Sequence, residues 1–386
     1  MARGNSLNNP YGDDHVIDAC AIFGVMDRSG RCFSGQDVVA AIATMHDRSN
    51  GLGGGFAVYG CYPEFAEWIA LHIMYMEYGV RDDVEGYLRG HFELHLAEEV
   101  PTRHVRGISD PPQVWRYFVS PADLAPAGMS AEDYIVQQIM RINTRFRGSF
   151  VFSSGKNMGV FKGVGYPEDI AEFFCLDEYR GYIWTAHGRF PTNTPGWWGG
   201  AHPFSILDWT VVHNGEISSY GINRRYLEGY GYQCTMETDT EVMAYAVDLL
   251  CRRHGLPIDL AASVLAAPLW DEIERQDTPQ SRLQQTLRQV YPSLLMNGPF
   301  SVILARTGEM IGLTDRIRLR PLTAATRGSL LYLSSEESAI RLVCPELDRV
   351  WTPLGGQAVI GRLSGNVPID QKNLSVPSHA VGASLL

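Results

Sequence analysis

Three clusters in this chain hold residue types that can do chemistry. Cys20 follows a polar leader and opens the apolar run Ala21-Ile-Phe-Gly-Val-Met26. The second is His187-Gly-Arg-Phe-Pro-Thr-Asn-Thr-Pro-Gly-Trp-Trp198, and the third is His202-Pro-Phe followed by Val212-His-Asn-Gly-Glu-Ile217. A thiolate is a strong nucleophile, and an arginine guanidinium forms a fork that suits a carboxylate. Taken singly, each cluster also has a plain structural account. Cysteine in an apolar run packs as a small hydrophobe, and Asn-Gly after an apolar run is a common turn dipeptide. An arginine can be a surface or salt-bridged residue, and paired tryptophans can be core.

The elements that must position these residues are partly readable. Residues 1–19 are polar and turn-rich and include the acids Asp13 and Asp14, which marks a leader outside the core. Cys20 to Met26 reads as a short buried strand and Asp37 to His46 as a helix; Leu52 to Gly60 reads as a strand with close backbone approach at its glycine-rich start. Residues 62–129 are rich in aromatic, His and charged residues with irregular periodicity, and are read as an insertion. Ser130 caps a helix over 131–146, and strand-like runs follow at Ser149–Ser153 and Met158–Phe161. From Tyr182 strands resume, and a helix runs from Asp239 to Arg253 behind the capping box Thr238-Asp-Thr-Glu241. Strands and helices do not alternate singly, which favours an α+β fold with antiparallel sheets over a doubly wound one.

Composition narrows the function classes. The chain has 386 residues, 45% hydrophobic and 19% charged, the composition of a globular protein. With 32 Lys+Arg against 43 Asp+Glu the net charge is -11, which argues against a sequence-independent nucleic-acid partner. No apolar run approaches the roughly 20 residues that cross a bilayer, and the N-terminus has no apolar secretory core, so a cytoplasmic location without membrane contact is expected. The 7 cysteines are scattered with no Cys-x-x-Cys pair, against a disulfide framework, a zinc ribbon or an iron–sulfur cluster in this chain; no metal site is expected.

In order, Cys20-Ala-Ile-Phe-Gly, His187-x-Arg189-x-x-Thr192, His202-Pro203, His213-Asn-Gly-Glu-Ile217 and Thr238-Asp-Thr-Glu241 resemble the class II glutamine amidotransferases, the N-terminal-nucleophile glutaminases. The closer resemblance is to the glutaminase part of glutamate synthase, in the archaeal-type form with a separate amidotransferase subunit. The ending, with Gly312-Leu-Thr-Asp-Arg-Ile-Arg-Leu-Arg-Pro-Leu322 and Leu331-Tyr-Leu-Ser-Ser-Glu-Glu-Ser-Ala-Ile340, is similar to the last part of that domain. The resemblance implies a four-layer α/β/β/α sandwich of two antiparallel sheets over residues 20–386, preceded by a leader or propeptide at 1–19.

The resemblance also implies the site. Cys20 would be the nucleophile, its own α-amino group the base, and the Asn214 side chain with the Gly215 backbone N–H the oxyanion clamp. Arg189 would pair with the α-carboxylate of L-glutamine and Asp239 with its α-ammonium, with Thr192 beside Arg189. His202, Trp197 and Trp198 would be loop residues lining the mouth. An amide nitrogen is not a base, so the Ala19–Cys20 bond must be cut before Cys20 can act in this way. Ala21 stands where this family usually has glycine, and Gly188 where it often has a polar residue. The chain itself carries no cofactor; the ammonia acceptor is expected on a partner subunit holding FMN and an iron–sulfur cluster, with residues 62–129 a candidate docking surface. Two other readings are an amidotransferase subunit with a different acceptor, as in an N-methylglutamate synthase, and a non-catalytic glutamine-binding or scaffold subunit.

Overall fold

The computed structural model describes residues 20–122, 125–190, 196–275 and 277–364. The leader at 1–19 and Thr192 therefore lie outside the described residues. Two antiparallel sheets form the core. The larger has seven strands in the order Arg349–Trp351, Thr323–Arg327, Leu330–Ser334, Ala21–Asp27, Ile183–Gly188, Gly54–Tyr59 and Met158–Gly163. The smaller has five, in the order Phe204–Ile206, Trp209–Gly215, Phe300–Arg306, Glu309–Thr314 and Val359–Arg362. Helices Gln36–Ala43, Pro167–Phe173 and Glu337–Val343 pack on the first sheet, and Asp239–Asp248, itself packed on Tyr220–Glu228, on the second. The result is the four-layer α/β/β/α sandwich. Central strands are covered on both faces, so Ala21–Asp27 is buried at every position and reads in sequence as a continuous apolar run instead of an alternation.

The two sheets meet closely. A Cβ added at Gly24 would lie 3.1 Å from Met310 Sδ and 3.2 Å from Ile303 Cδ1, both on the five-stranded sheet. Tyr59 crosses from the other direction: its hydroxyl lies 2.7 Å from the Asp208 carbonyl, 2.8 Å from Thr210 Oγ1 and 2.8 Å from the Ala305 carbonyl. A buried tyrosine hydroxyl needs such partners to offset its lost hydration.

Residues 62–129 are more regular than their sequence suggests. Strands Phe92–Glu99, Gln113–Pro121 and Ile69–Tyr75 join Ser149–Ser153 in a separate four-stranded sheet, with helix Val80–His91 packed on it. The run Ser149–Ser153 thus belongs to this sheet, whereas Met158–Gly163, just past a four-residue turn, belongs to the seven-stranded one. Ser130 caps helix Ala131–Arg145 as expected, its side chain accepting from Asp133 N. Two expectations are corrected. The first helix is Gln36–Ala43, and the chain then tightens into a 3₁₀ turn at His46–Arg48. At Thr238 only half of the box forms: Thr238 Oγ1 accepts from Glu241 N at 3.2 Å, but the Glu241 carboxylate turns instead to the backbone N–H groups of Thr235 and Met236. The helix that follows, Asp239–Asp248, runs into a π-helical turn, Leu249–Arg253.

One buried acid holds the far edge of the site. Asp315 is 3% exposed, and its carboxylate accepts from Phe300 N at 3.2 Å, Leu319 N at 2.8 Å and Ile317 N at 3.1 Å. Phe300 is the ladder partner of Gly215, so this clamp fixes the backbone opposite Gly215. Arg320 N donates to the Asp315 carboxylate as well, at 3.4 Å, so Asp315→Ala would leave four N–H groups without this acceptor and should destabilise the fold by about 3 kcal/mol. Urea unfolding followed by circular dichroism measures the loss.

Candidate active site

Strand Ala21–Asp27 pairs with Ile183–Gly188 in a register that sets Ala21 against Gly188. Cys20 therefore enters one strand beside the point where Arg189 leaves its neighbour. The Cys20 sulfur accepts from Phe190 N at 3.3 Å, and Arg48 Nε lies 3.4 Å from the Cys20 carbonyl. The two departures from the family pattern turn out to be cross-strand partners. A Cβ at Gly188 would lie 3.2 Å from Pro167 Cγ, 3.4 Å from Ser49 Cβ and 3.6 Å from Ala21 Cβ. The alanine methyl thus stands over the space that the glycine leaves free.

Arg189 is 5% exposed. Its backbone N–H donates to the Gly53 carbonyl at 2.8 Å, and its carbonyl accepts from Ser49 Oγ at 3.1 Å. The expected close approach at the glycine run is real. A Cβ at Gly53 would lie 2.9 Å from Arg189 Cδ, and one at Gly55 would lie 2.3 Å from the His202 carbonyl oxygen. Burial pulls the Arg189 guanidinium below its ordinary pKa, opposed by the nearby Cys20 and Asp239.

The opposite wall comes from the five-stranded sheet. Asn214 and Gly215 are the last two residues of strand Trp209–Gly215 and not a turn. Asn214 is fully buried, and its Nδ2 donates to Ser335 Oγ at 3.2 Å. Ser335 Oγ also accepts from Ile22 N at 3.2 Å, while Ser335 N donates to the Ile22 carbonyl at 3.0 Å. The serine thereby ties Asn214 to the strand that Cys20 opens. A carboxamide nitrogen carries two hydrogens, so one Asn214 N–H remains for another acceptor. Gly215 has φ +135°, and a Cβ there would lie 1.9 Å from the Pro299 carbonyl oxygen, so only glycine fits.

Asp239 opens helix Asp239–Asp248, and its Oδ2 reaches past the helix end to accept from Ile217 N at 2.8 Å. Its Oδ1 lies 3.7 Å from His213 Nδ1 and accepts from Thr240 Oγ1 at 3.2 Å. Burial pushes the Asp239 carboxyl up, but His213, the Ile217 N–H and Thr240 outweigh it and hold the group below its ordinary range. Asp239 is therefore an anion at neutral pH.

Electrostatically these groups face one another. Burial raises the Cys20 thiol above its ordinary pKa; the Phe190 N–H and the Arg189 and Arg320 charges lower it, and Asp239 raises it. The thiol thus keeps its proton until a base takes it, with a cation and an anion from opposite walls both within reach. His202 does not line the mouth as expected: it is 6% exposed, its ring stacks on His187 with centroids 4.0 Å apart, and its Nε2 lies 3.4 Å from Thr240 Oγ1. Trp198 is 4% exposed and packs against Phe173, and half-buried Trp197 packs against Phe150. Ser335, Arg48 and Arg320 carry no mark in the sequence that would have singled them out.

Comparison with known proteins gives the family. Residues 104–348 match the family model described as glutamine amidotransferases class-II. A protein of Archaeoglobus fulgidus described as uncharacterized is 56% identical over 366 residues, covering 94% of this chain and 96% of that protein. A putative glutamine amidotransferase of Methanothermobacter thermautotrophicus is 28% identical, covering 50% of this chain and 55% of its own length. The isomerizing glutamine–fructose-6-phosphate aminotransferase of Vibrio cholerae is 29% identical over 48% of this chain and 28% of its own length. The chain thus spans from about a quarter to just over half of these last two relatives. Among solved structures, the glutamine phosphoribosylpyrophosphate amidotransferase of B. subtilis aligns with TM-score 0.42 at 15% identity, over 90% of this chain and 50% of that one.

Proposed function

This chain belongs to the class II glutamine amidotransferases, and from that premise we propose that it is the glutaminase subunit of a glutamate-synthase-like complex, hydrolysing L-glutamine to L-glutamate and ammonia for a partner subunit. The observation that supports the glutaminase part of this reading is the meeting of Cys20 and buried Arg189 from one sheet with Asn214, Gly215 and the anionic Asp239 on the other side. Arg189 pairs with the substrate α-carboxylate and Asp239 with its α-ammonium, which selects the free amino acid over a glutamine residue within a protein.

Removal of residues 1–19 frees the α-amino group of Cys20. That amine takes the thiol proton, and the sulfur attacks the side-chain amide carbon. The oxyanion so formed is held by Asn214 Nδ2 and the Gly215 N–H. The ammonium form of the Cys20 amine then returns its proton to the leaving nitrogen, ammonia departs and a thioester remains. Water, deprotonated by the same amine, attacks the thioester, and glutamate leaves with the thiol restored. The thiol proton leaves with ammonia and water supplies the one that restores it, both passing through the Cys20 amine. The acceptor chemistry, with FMN and an iron–sulfur cluster, is assigned to the partner subunit.

The test is intact mass together with glutamine turnover. The active protein should begin at Cys20. Turnover by protein that retains residues 1–19 would rule out the amine as base. Arg189→Lys keeps the charge but loses the fork, and should raise KM for glutamine about 10- to 100-fold with a smaller change in kcat. Steady-state kinetics on the processed protein gives both constants.

A further inference from the structure

Asp239 touches the rest of the protein through a hub that the proposed chemistry does not use. Thr240 is fully buried, and its Oγ1 has three polar neighbours: Asp239 Oδ1 at 3.2 Å, His213 Nδ1 at 3.0 Å and His202 Nε2 at 3.4 Å. A hydroxyl has one hydrogen and two lone pairs, and an ionised carboxylate can only accept. The Thr240 hydrogen therefore goes to Asp239, and both imidazoles donate to Thr240. This assignment uses the full capacity of the hydroxyl and places a hydrogen on His213 Nδ1 and one on His202 Nε2. Burial keeps His202 neutral, far below its ordinary pKa, so its single ring hydrogen is the one spent on Thr240.

The column continues to the oxyanion strand. His187 stacks on His202 at an interplanar angle of 19°, and its Nε2 lies 2.9 Å from the His213 carbonyl. A carbonyl only accepts, so His187 carries its hydrogen on Nε2. That carbonyl belongs to the peptide that joins His213 to Asn214. Three buried histidines and one threonine thus link the carboxylate on the helix to the end of strand Trp209–Gly215.

Resting on the glutaminase reading, we infer that Thr240, oriented by His213 and His202, is a positioning residue that aims the Asp239 carboxylate and thereby sets the preference for substrates bearing an α-amino group. With Oδ2 held by Ile217 N and Oδ1 by Thr240, the carboxylate has one orientation to offer an incoming ammonium. Without the hydroxyl, Asp239 turns about its side-chain bond and its charge meets the substrate off line.

The test compares L-glutamine with glutaramate, which has the same amide and carboxylate but no α-amino group. In the processed full-length enzyme, Thr240→Val should raise KM for glutamine at least tenfold. It should leave the inhibition constant of glutaramate within twofold, and Thr240→Ser, which keeps the hydroxyl, should restore the wild-type KM. Equal weakening of both ligands, or no change in either, overturns the inference, because a merely structural role would not separate them. Should the valine variant fail to fold, Thr240→Ala reads the same contrast. A processed wild-type protein that turns over no glutamine overturns the glutaminase reading itself, and the inference with it.

Discussion

Cys20→Ala is expected to lower glutamine turnover by about four to six powers of ten, the scale seen when an enzyme loses its nucleophile. The proposed mechanism gives the reason for so large a loss. Cys20 sits against the Phe190 N–H at the edge of a strand whose neighbour delivers Arg189. Among the remaining cysteines, Cys32, Cys61, Cys175 and Cys234 are buried. Alanine removes the proposed nucleophile and leaves the proposed recognition groups untouched, so glutamine should still protect the variant against thermal unfolding. A glutamine-like diazoketone should add its mass to Cys20 of the processed wild-type protein and leave Cys20→Ala unmodified. Labelling at another cysteine would sink the assignment. Burial raises the thiol pKa, and in the proposed mechanism its proton passes to the α-amine, whose pKa is roughly 8 in water; turnover should therefore climb with pH as that amine loses its proton. A pH profile flat through that region would contradict the amine as base.

The second large effect is expected at the proposed oxyanion clamp. Asn214→Ala should reduce kcat by about two to three powers of ten with KM nearly unchanged, because the donor acts on a charge that exists only in the transition state. Gly215→Ala should do at least as much damage by a different route. Its methyl would meet the Pro299 carbonyl oxygen at 1.9 Å and would sit on a backbone at φ +135°, so the strand end must move and carry the N–H off its target. The two variants separate by stability: the glycine substitution should lower the melting temperature clearly and the asparagine one less so. Equal kinetics in wild type and Asn214→Ala would place the oxyanion elsewhere.

Much of this arrangement could be read from the sequence, for a definite reason. The family resemblance marked Arg189, Asn214, Gly215 and Asp239 through short contiguous motifs, and these stand at strand ends and a helix start. The buried strands were legible because coverage on both faces makes them uniformly apolar. The sheet within residues 62–129 was not. Strand Phe92–Glu99 is only half-buried along most of its length, and its register shifts between Leu94 and Leu96, so no clean alternation survives. The supports of the site were also hidden. Ser335 is 313 residues from Ile22, and nothing in the run Ser334-Ser335-Glu336-Glu337 marks which hydroxyl crosses to Asn214. The burial of His202 and its bond to Thr240 depend on how a strand and a helix pack, which no local pattern encodes.

The close contact at Gly24 bears on catalysis from inside the core. In the proposed mechanism the Cys20 sulfur and the Arg189 guanidinium come from one sheet, while Asn214 and Gly215 end a strand of the other and Asp239 opens the helix packed on it, so the spacing of the two layers bears on how these groups meet. Ile303 and Met310, which settle onto a residue with no side chain, act as the spacers between those layers. On the glutaminase reading, tuning turnover is therefore also a question of how thick the interior is.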